Sequence, residues 1–176
     1  MGIKTFNKII DIWINGLDSF TIDQIVLKPD EKNWSLGQVY EHIVEETNWY
    51  NEQLEISLSD IENANAPTTI AARKLFKNGS FADERIVGDP LISENVKQPT
   101  SIEQLKSDFE KLKTRTNENW LSMTKAITYG ISEHPGMGYL NCFEWLYYSE
   151  MHMRHHLKQK SRIEDFLNLN QEQNHG

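Results

Sequence analysis

Residues 141–167 read NCFEWLYYSEMHMRHHLKQKSRIEDFL, and the period of this stretch decides the fold class. Asn141 and Glu144 have the spacing of a helix-capping pair. Trp145, Ser149, His152, His156, Gln159, Ile163 and Phe166 then recur at helical steps along one face. One helical turn stacks His152 over His156, with Cβ atoms ~6 Å apart, a spacing that suits two imidazoles converging on one ion. His155 points roughly 100° away from His156, towards the surface or an interface.

Working outward, NWSLGQVYEHIVEE begins a second helix at residue 33, with Ser35 and Gln38 as its capping box. Leu36, Val39, Ile43 and Tyr50 form its apolar stripe, with His42, Glu46, Trp49 and Gln53 alongside, and the pattern runs to about residue 58. His42 therefore faces the core or its margin. Phe6 to Leu17 carries an amphipathic pattern of its own, followed by SFTIDQIVLKPDEKN as a linker. Thr100 and Glu103 are expected to cap a helix through Ile102, Leu105, Phe109, Leu112, Trp120 and Met123. Between them, residues 59–99 read as a long loop with one short helix at AARKLFK, able to cover a mouth of the bundle. TYGISEHPGMGYL is a glycine-rich hinge before the last helix. Four helical patterns without strand alternation predict an all-α bundle. Residues 1–167 form a single domain, and NLNQEQNHG (168–176) is expected to be a disordered tail.

The chain has 176 residues, of which 38% are hydrophobic and 10% aromatic, enough for one domain with a real core. Its mean hydropathy is -0.61 and its pI is near 5.2. No apolar run approaches the ~18 residues of a membrane span, and the start lacks a signal-peptide pattern; a cytoplasmic protein is expected. A net charge of -8 argues against binding nucleic acid, and the basic run RHHLKQKSR (154–162) reads as a solvated helix end. Cys142 is the single cysteine, so an intramolecular disulfide and a thiolate zinc cage are both excluded.

By pattern alone, two readings of His42, His152 and His156 stand side by side. Each ring is a hydrogen-bonded core or boundary residue, or the three share a divalent ion that satisfies them together.

Two stretches resemble the DinB/YfiT-like superfamily. NWSLGQVYEHIVEE is similar to its helix-two signature, with Trp-Ser-hydrophobic-Gly ahead of a His-hydrophobic pair. HPGMGYLNCFEWLYYSEMHMRHHLKQKSRI (134–163) resembles its ending: an HPxxG turn, a Glu-Trp helix start, then HxxxHxxQ. The resemblance implies an up-down-down-up four-helix bundle, often a homodimer, with His42, His152 and His156 as metal ligands. Three imidazoles leave an ion open to water or substrate, and an all-nitrogen set suits Zn or Ni, with iron and manganese left open. It further implies a small-molecule substrate and a metal-dependent enzyme, either an S-transferase using a low-molecular-weight thiol cosubstrate or a hydrolase. A non-catalytic metal or small-molecule binding module, or an inert dimeric scaffold, are the other readings.

Around the ligands, Glu46 follows His42 by one turn, as proton shuttle, ligand-orienting group or plain solvated carboxylate. Gln159 matches the glutamine of the resemblance and serves as a packing hydrogen-bond partner or as a group that orients a ligand histidine from behind. His134 ties the turn to the last helix or supports the ligands in the same indirect way. Trp49, Trp145 and Tyr148 line a pocket or fill the core. Cys142, at a helix start, is either a thiol of lowered pKa or a buried filler.

Overall fold

The computed structural model describes residues 2–59, 66–81 and 95–174. Helix α1 (Ile3–Gly16) passes through a 3₁₀ turn at Leu17–Ser19 into the short α2 (Ile22–Ile25). Then come α3 (Leu36–Ser59), α4 (Ile70–Asn78) and α5 (Ile102–Lys125). A hairpin of β1 (Ser132–His134) and β2 (Gly138–Leu140) leads into α6 (Cys142–Asn174). The described residues are thus mostly helical, with one small sheet.

Local chemistry sets the helix starts. At α3, the Gln38 amide donates to Ser35 Oγ (3.1 Å) and the Ser35 amide to Gln38 Oε1 (3.2 Å). At α6, Asn141 Oδ1 accepts from the amides of Phe143 and Glu144, while the Asn141 amide donates to Glu144 Oε2. Both boxes fall where the sequence puts them. The α5 cap lies one residue later than expected: Ser101 Oγ, rather than Thr100, accepts from Gln104 N, and Gln104 Oε1 reaches back to the Thr100 amide. Glu103 takes no part in that box because Ser101 and Gln104 have the same three-residue spacing. The expected linker after α1 holds a capping box too, Thr21 with Gln24, and it nucleates α2.

Two further expectations are corrected. TYGISEHPGMGYL is a hairpin, pairing Ser132 with Leu140, Glu133 with Tyr139 and His134 with Gly138. Strands of three residues are too short to show the alternation that identifies strands in a sequence. Residues 168–174 continue α6 in place of a disordered tail, since the segment holds neither proline nor glycine to stop the helix.

Side-chain pairs fix how the long helices run. Asn7 with Asn117 and Asp11 with Lys113 set α1 antiparallel to α5. Glu41 with Gln104, Asn51 with Thr116 and Glu55 with Asn119 set α5 parallel to α3. His42 against His152 and His156, and Tyr50 against Trp145, set α6 antiparallel to α3. Gly2 and Phe6 share a crease with Phe143 and Leu146, and Gly16 lies beside Lys160, so α1 and α6 run together. At the centre, Trp13, Tyr40 and Phe109 are fully buried, with ring centroids 5.0–6.3 Å apart. Each such burial is worth ~1.5–3 kcal/mol, against ~0–1 kcal/mol for a surface ion pair such as Lys106–Asp18. The core, not the surface charges, dominates the packing.

The described parts of the 59–99 region pack against the bundle; residues 60–65 and 82–94 lie outside the described residues. Phe76 stacks near Tyr147, and Arg154 holds the Gly79 carbonyl at 2.8 Å while gripping Glu150 through two hydrogen bonds. Gly79 itself is left-handed (φ 67°), ending α4. The returning segment is tied down by Gln38 Nε2 to Val96 O and Ser35 Oγ to Gln98 Oε1, both 2.8 Å. There Pro99 presses on Gly37, where an added Cβ would lie 2.7 Å from Pro99 Cδ and 3.1 Å from the Ile25 carbonyl oxygen. Gly37→Ala is expected to destabilise the fold by about 1–3 kcal/mol in chemical denaturation, and a second change, Pro99→Ala, to recover part of that loss. An unchanged Gly37→Ala midpoint would show that this approach is not tight.

Candidate metal centre

His42 is held in place by the well-capped first half of α3, and His152 and His156 by the middle of α6. Because the two helices are antiparallel, one ring from the first meets two from the second. Ring centroids lie 5.1 Å apart for His42–His152, 4.9 Å for His42–His156 and 4.6 Å for His152–His156. One nitrogen from each falls within 4.8 Å of the other two, a group that can hold a metal ion. The Nε2 atoms of His152 and His156 are 3.2 Å apart. Two nitrogens bound at ~2.05 Å with a tetrahedral angle stand roughly 3.3 Å apart, so this pair is already spaced for one ion.

Hydrogen bonding orients the rings. His156 Nδ1 meets Gln159 Oε1 at 2.8 Å. An amide oxygen only accepts, so Nδ1 carries the proton and Nε2 keeps its lone pair facing the centre. A hydrogen bond between the two Nε2 atoms would satisfy that pair alone and leave His42 out. A shared ion uses all three rings, and the residues therefore fit a metal.

Burial, the first cause at each ring, pushes His42 and His156 down to about 4; at His156 neighbouring His42 adds to the effect. His152 is pushed well below its ordinary value, again by burial first and then by the surrounding histidines. All three are neutral near pH 7, the form that binds a metal.

Glu46 does not join the donor group: its Oε2 accepts from Tyr50 OH at 2.7 Å, and its other oxygen makes no hydrogen bond among the described residues. Tyr50 packs on His152 (5.5 Å), and burial raises its hydroxyl pKa, with Glu46 adding to the rise. Tyr148 is raised to about 12 by burial and then Glu46. Trp49 and His134 flank Trp145, at 5.3 and 5.4 Å, in an aromatic wall that continues the seam away from the histidine cluster. His134 Nδ1 accepts the Gly136 amide and so braces its own turn. Trp145 Nε1 donates to Ser132 Oγ, which donates to the Gln53 carbonyl, tying the hairpin to α3. Cys142 is buried, and burial raises its thiol to about 11 despite its place at a helix start; it is filler, not a reactive thiolate.

Two neighbours escaped sequence reading. Trp34 lies 5.0 Å from His42, and its position next to the Ser35 cap was the available signal. Phe81 meets Tyr148, His152 and His155 at 5.3, 6.4 and 5.4 Å, and nothing in its local sequence points there. Among the described residues no helix is long and apolar enough to cross a membrane. Comparison with known protein families and with curated proteins finds no match to this chain.

The lowered histidine pKa values carry a sign for stability. In the unfolded chain these rings take up protons near pH 6.5, whereas in the fold they resist until about 4. Between those values the unfolded state binds more protons, so their contribution is whole above about pH 6.5 and is lost on acidification towards 4. The metal-free protein should melt at progressively lower temperature across that window, and His42→Gln should fall less steeply. Parallel curves for the two proteins would contradict this.

Proposed function

We propose that this chain is a DinB/YfiT-like, metal-dependent enzyme in which His42, His152 and His156 hold a zinc or nickel ion, acting as an S-transferase of a low-molecular-weight thiol. The observation that carries the reading is the meeting of three neutral imidazoles from two helices, two of them with nitrogens 3.2 Å apart. The helix directions support the up-down-down-up arrangement: α1 and α6 run one way, α3 and α5 the other.

When bound, the ion supplies Lewis acidity at a position the three rings leave open. The chain's residues do the rest. Gln159 holds His156 with Nε2 presented. Tyr50 steadies the Glu46 carboxylate through one oxygen and leaves the other to take a proton. In thiol transfer the sulfur–carbon bond forms, the bond from that carbon to its leaving group breaks, and the thiol proton passes to Glu46. The engagement of Glu46 by Tyr50 favours this over a closed binding module, which would need a protein side chain in the fourth position. Hydrolysis is the second reading, because the same carboxylate oxygen can take a proton from water; omitting the thiol from the assay separates the two.

Protein purified without an affinity tag is expected to retain about one zinc or nickel per chain by elemental analysis. His152→Ala should keep the helical fold yet lose metal affinity by more than the ~10–100-fold of an outer-shell change, and thiol-transfer activity with it. Undiminished activity in a metal-free preparation would refute the reading.

A further inference from the structure

Metal-bound histidines need their second ring nitrogen satisfied, and the two ligands from α6 differ in this respect. His156 has Gln159. His152 Nδ1 is sealed from solvent and has no hydrogen-bond partner among the described residues. Ser149 Oγ, one turn earlier on the same helix, is also buried and also without a partner among them. Helical side chains lean towards the N-terminus, so His152 lies over the turn that contains Ser149. Among the carboxylates of these two helices, Glu150 holds Arg154 through both oxygens, and Glu46 Oε2 accepts from Tyr50.

We propose that Ser149 is a positioning residue for His152, its hydroxyl oxygen accepting a hydrogen bond from the Nδ1–H that the ring carries when Nε2 faces the ion. The inference rests on the metal-binding reading above. An imidazole that gives Nε2 to a metal must keep its proton on Nδ1, and leaving that N–H buried and unbonded costs free energy. Ser149 and His152 stand one turn apart on the same helix, which makes Ser149 the candidate acceptor. The hydrogen bond would fix both the tautomer and the ring plane, as Gln159 does for its neighbour. Thr47 Oγ1, on the facing helix α3, is the other buried hydroxyl lacking a partner among the described residues, and it provides a control.

The experiment titrates metal-free protein with zinc against a chromogenic chelator. Ser149→Ala is expected to bind about ten-fold more weakly than wild type, Ser149→Thr to restore affinity, and Thr47→Val to leave it unchanged. Metal-free melting temperatures establish that each variant is folded. In zinc-loaded wild type, nitrogen-edited NMR should show a His152 Nδ1–H slow to exchange with solvent, and Ser149→Ala should speed that exchange. Equal zinc affinity in wild type and Ser149→Ala, or a loss confined to Thr47→Val, overturns the role of Ser149 alone. Folded wild type that binds no zinc overturns the metal-binding reading itself, and this inference with it.

Discussion

The antiparallel seam between α3 and α6 is the constraint on which the molecule depends. Along it, from one end to the other, lie His42 against His152 and His156, then Tyr50 against Tyr148 and Trp145, then Ser132 linking Trp145 to the Gln53 carbonyl. A shift by one residue would turn the rings of α6 by roughly 100° away from α3. The aromatic contacts and the histidine cluster therefore share one register. Packing that stabilises the bundle also holds the three rings together.

That register explains why much of the site was legible in the sequence. The stripe from Trp145 to Phe166 and the caps at Ser35 and Asn141 are local signals, each written within one turn of helix, and they aim His42, His152 and His156 inward. What failed was either too short or too distant. The hairpin at 132–140 has no room for periodicity, and α2, with a single turn of helix, lies in a stretch that reads as linker although Thr21 and Gln24 carry the same box used at α3. The α5 start moved by one residue because two overlapping pairs compete there and the structure uses Ser101 with Gln104. Phe81 reaches the site from another segment, through the left-handed turn at Gly79 and the Arg154 clamp; no local pattern encodes such a contact.

Electrostatics distinguishes the site from the rest of the molecule. The chain carries a net charge of -8, yet the donor group contains no carboxylate among the described residues. A carboxylate ligand would stabilise protonated histidines and compete for the ion's charge. Instead burial keeps the rings neutral, and Glu46, one turn after His42 on α3, accepts a hydrogen bond from Tyr50. Three neutral ligands leave a divalent ion with its full charge, the condition under which it most strongly polarises whatever takes the open position.

The placement of sulfur narrows the chemistry further. Cys142 is the chain's single thiol, and it lies buried with its pKa raised to about 11, so at neutral pH it offers neither a thiolate nucleophile nor a fourth ligand. The helix-start amides that favour a thiolate are outweighed there by desolvation. A sulfur nucleophile at this centre must accordingly arrive from solution. The proposed reaction, whose thiol cosubstrate follows from the family resemblance, therefore assigns no covalent role to Cys142.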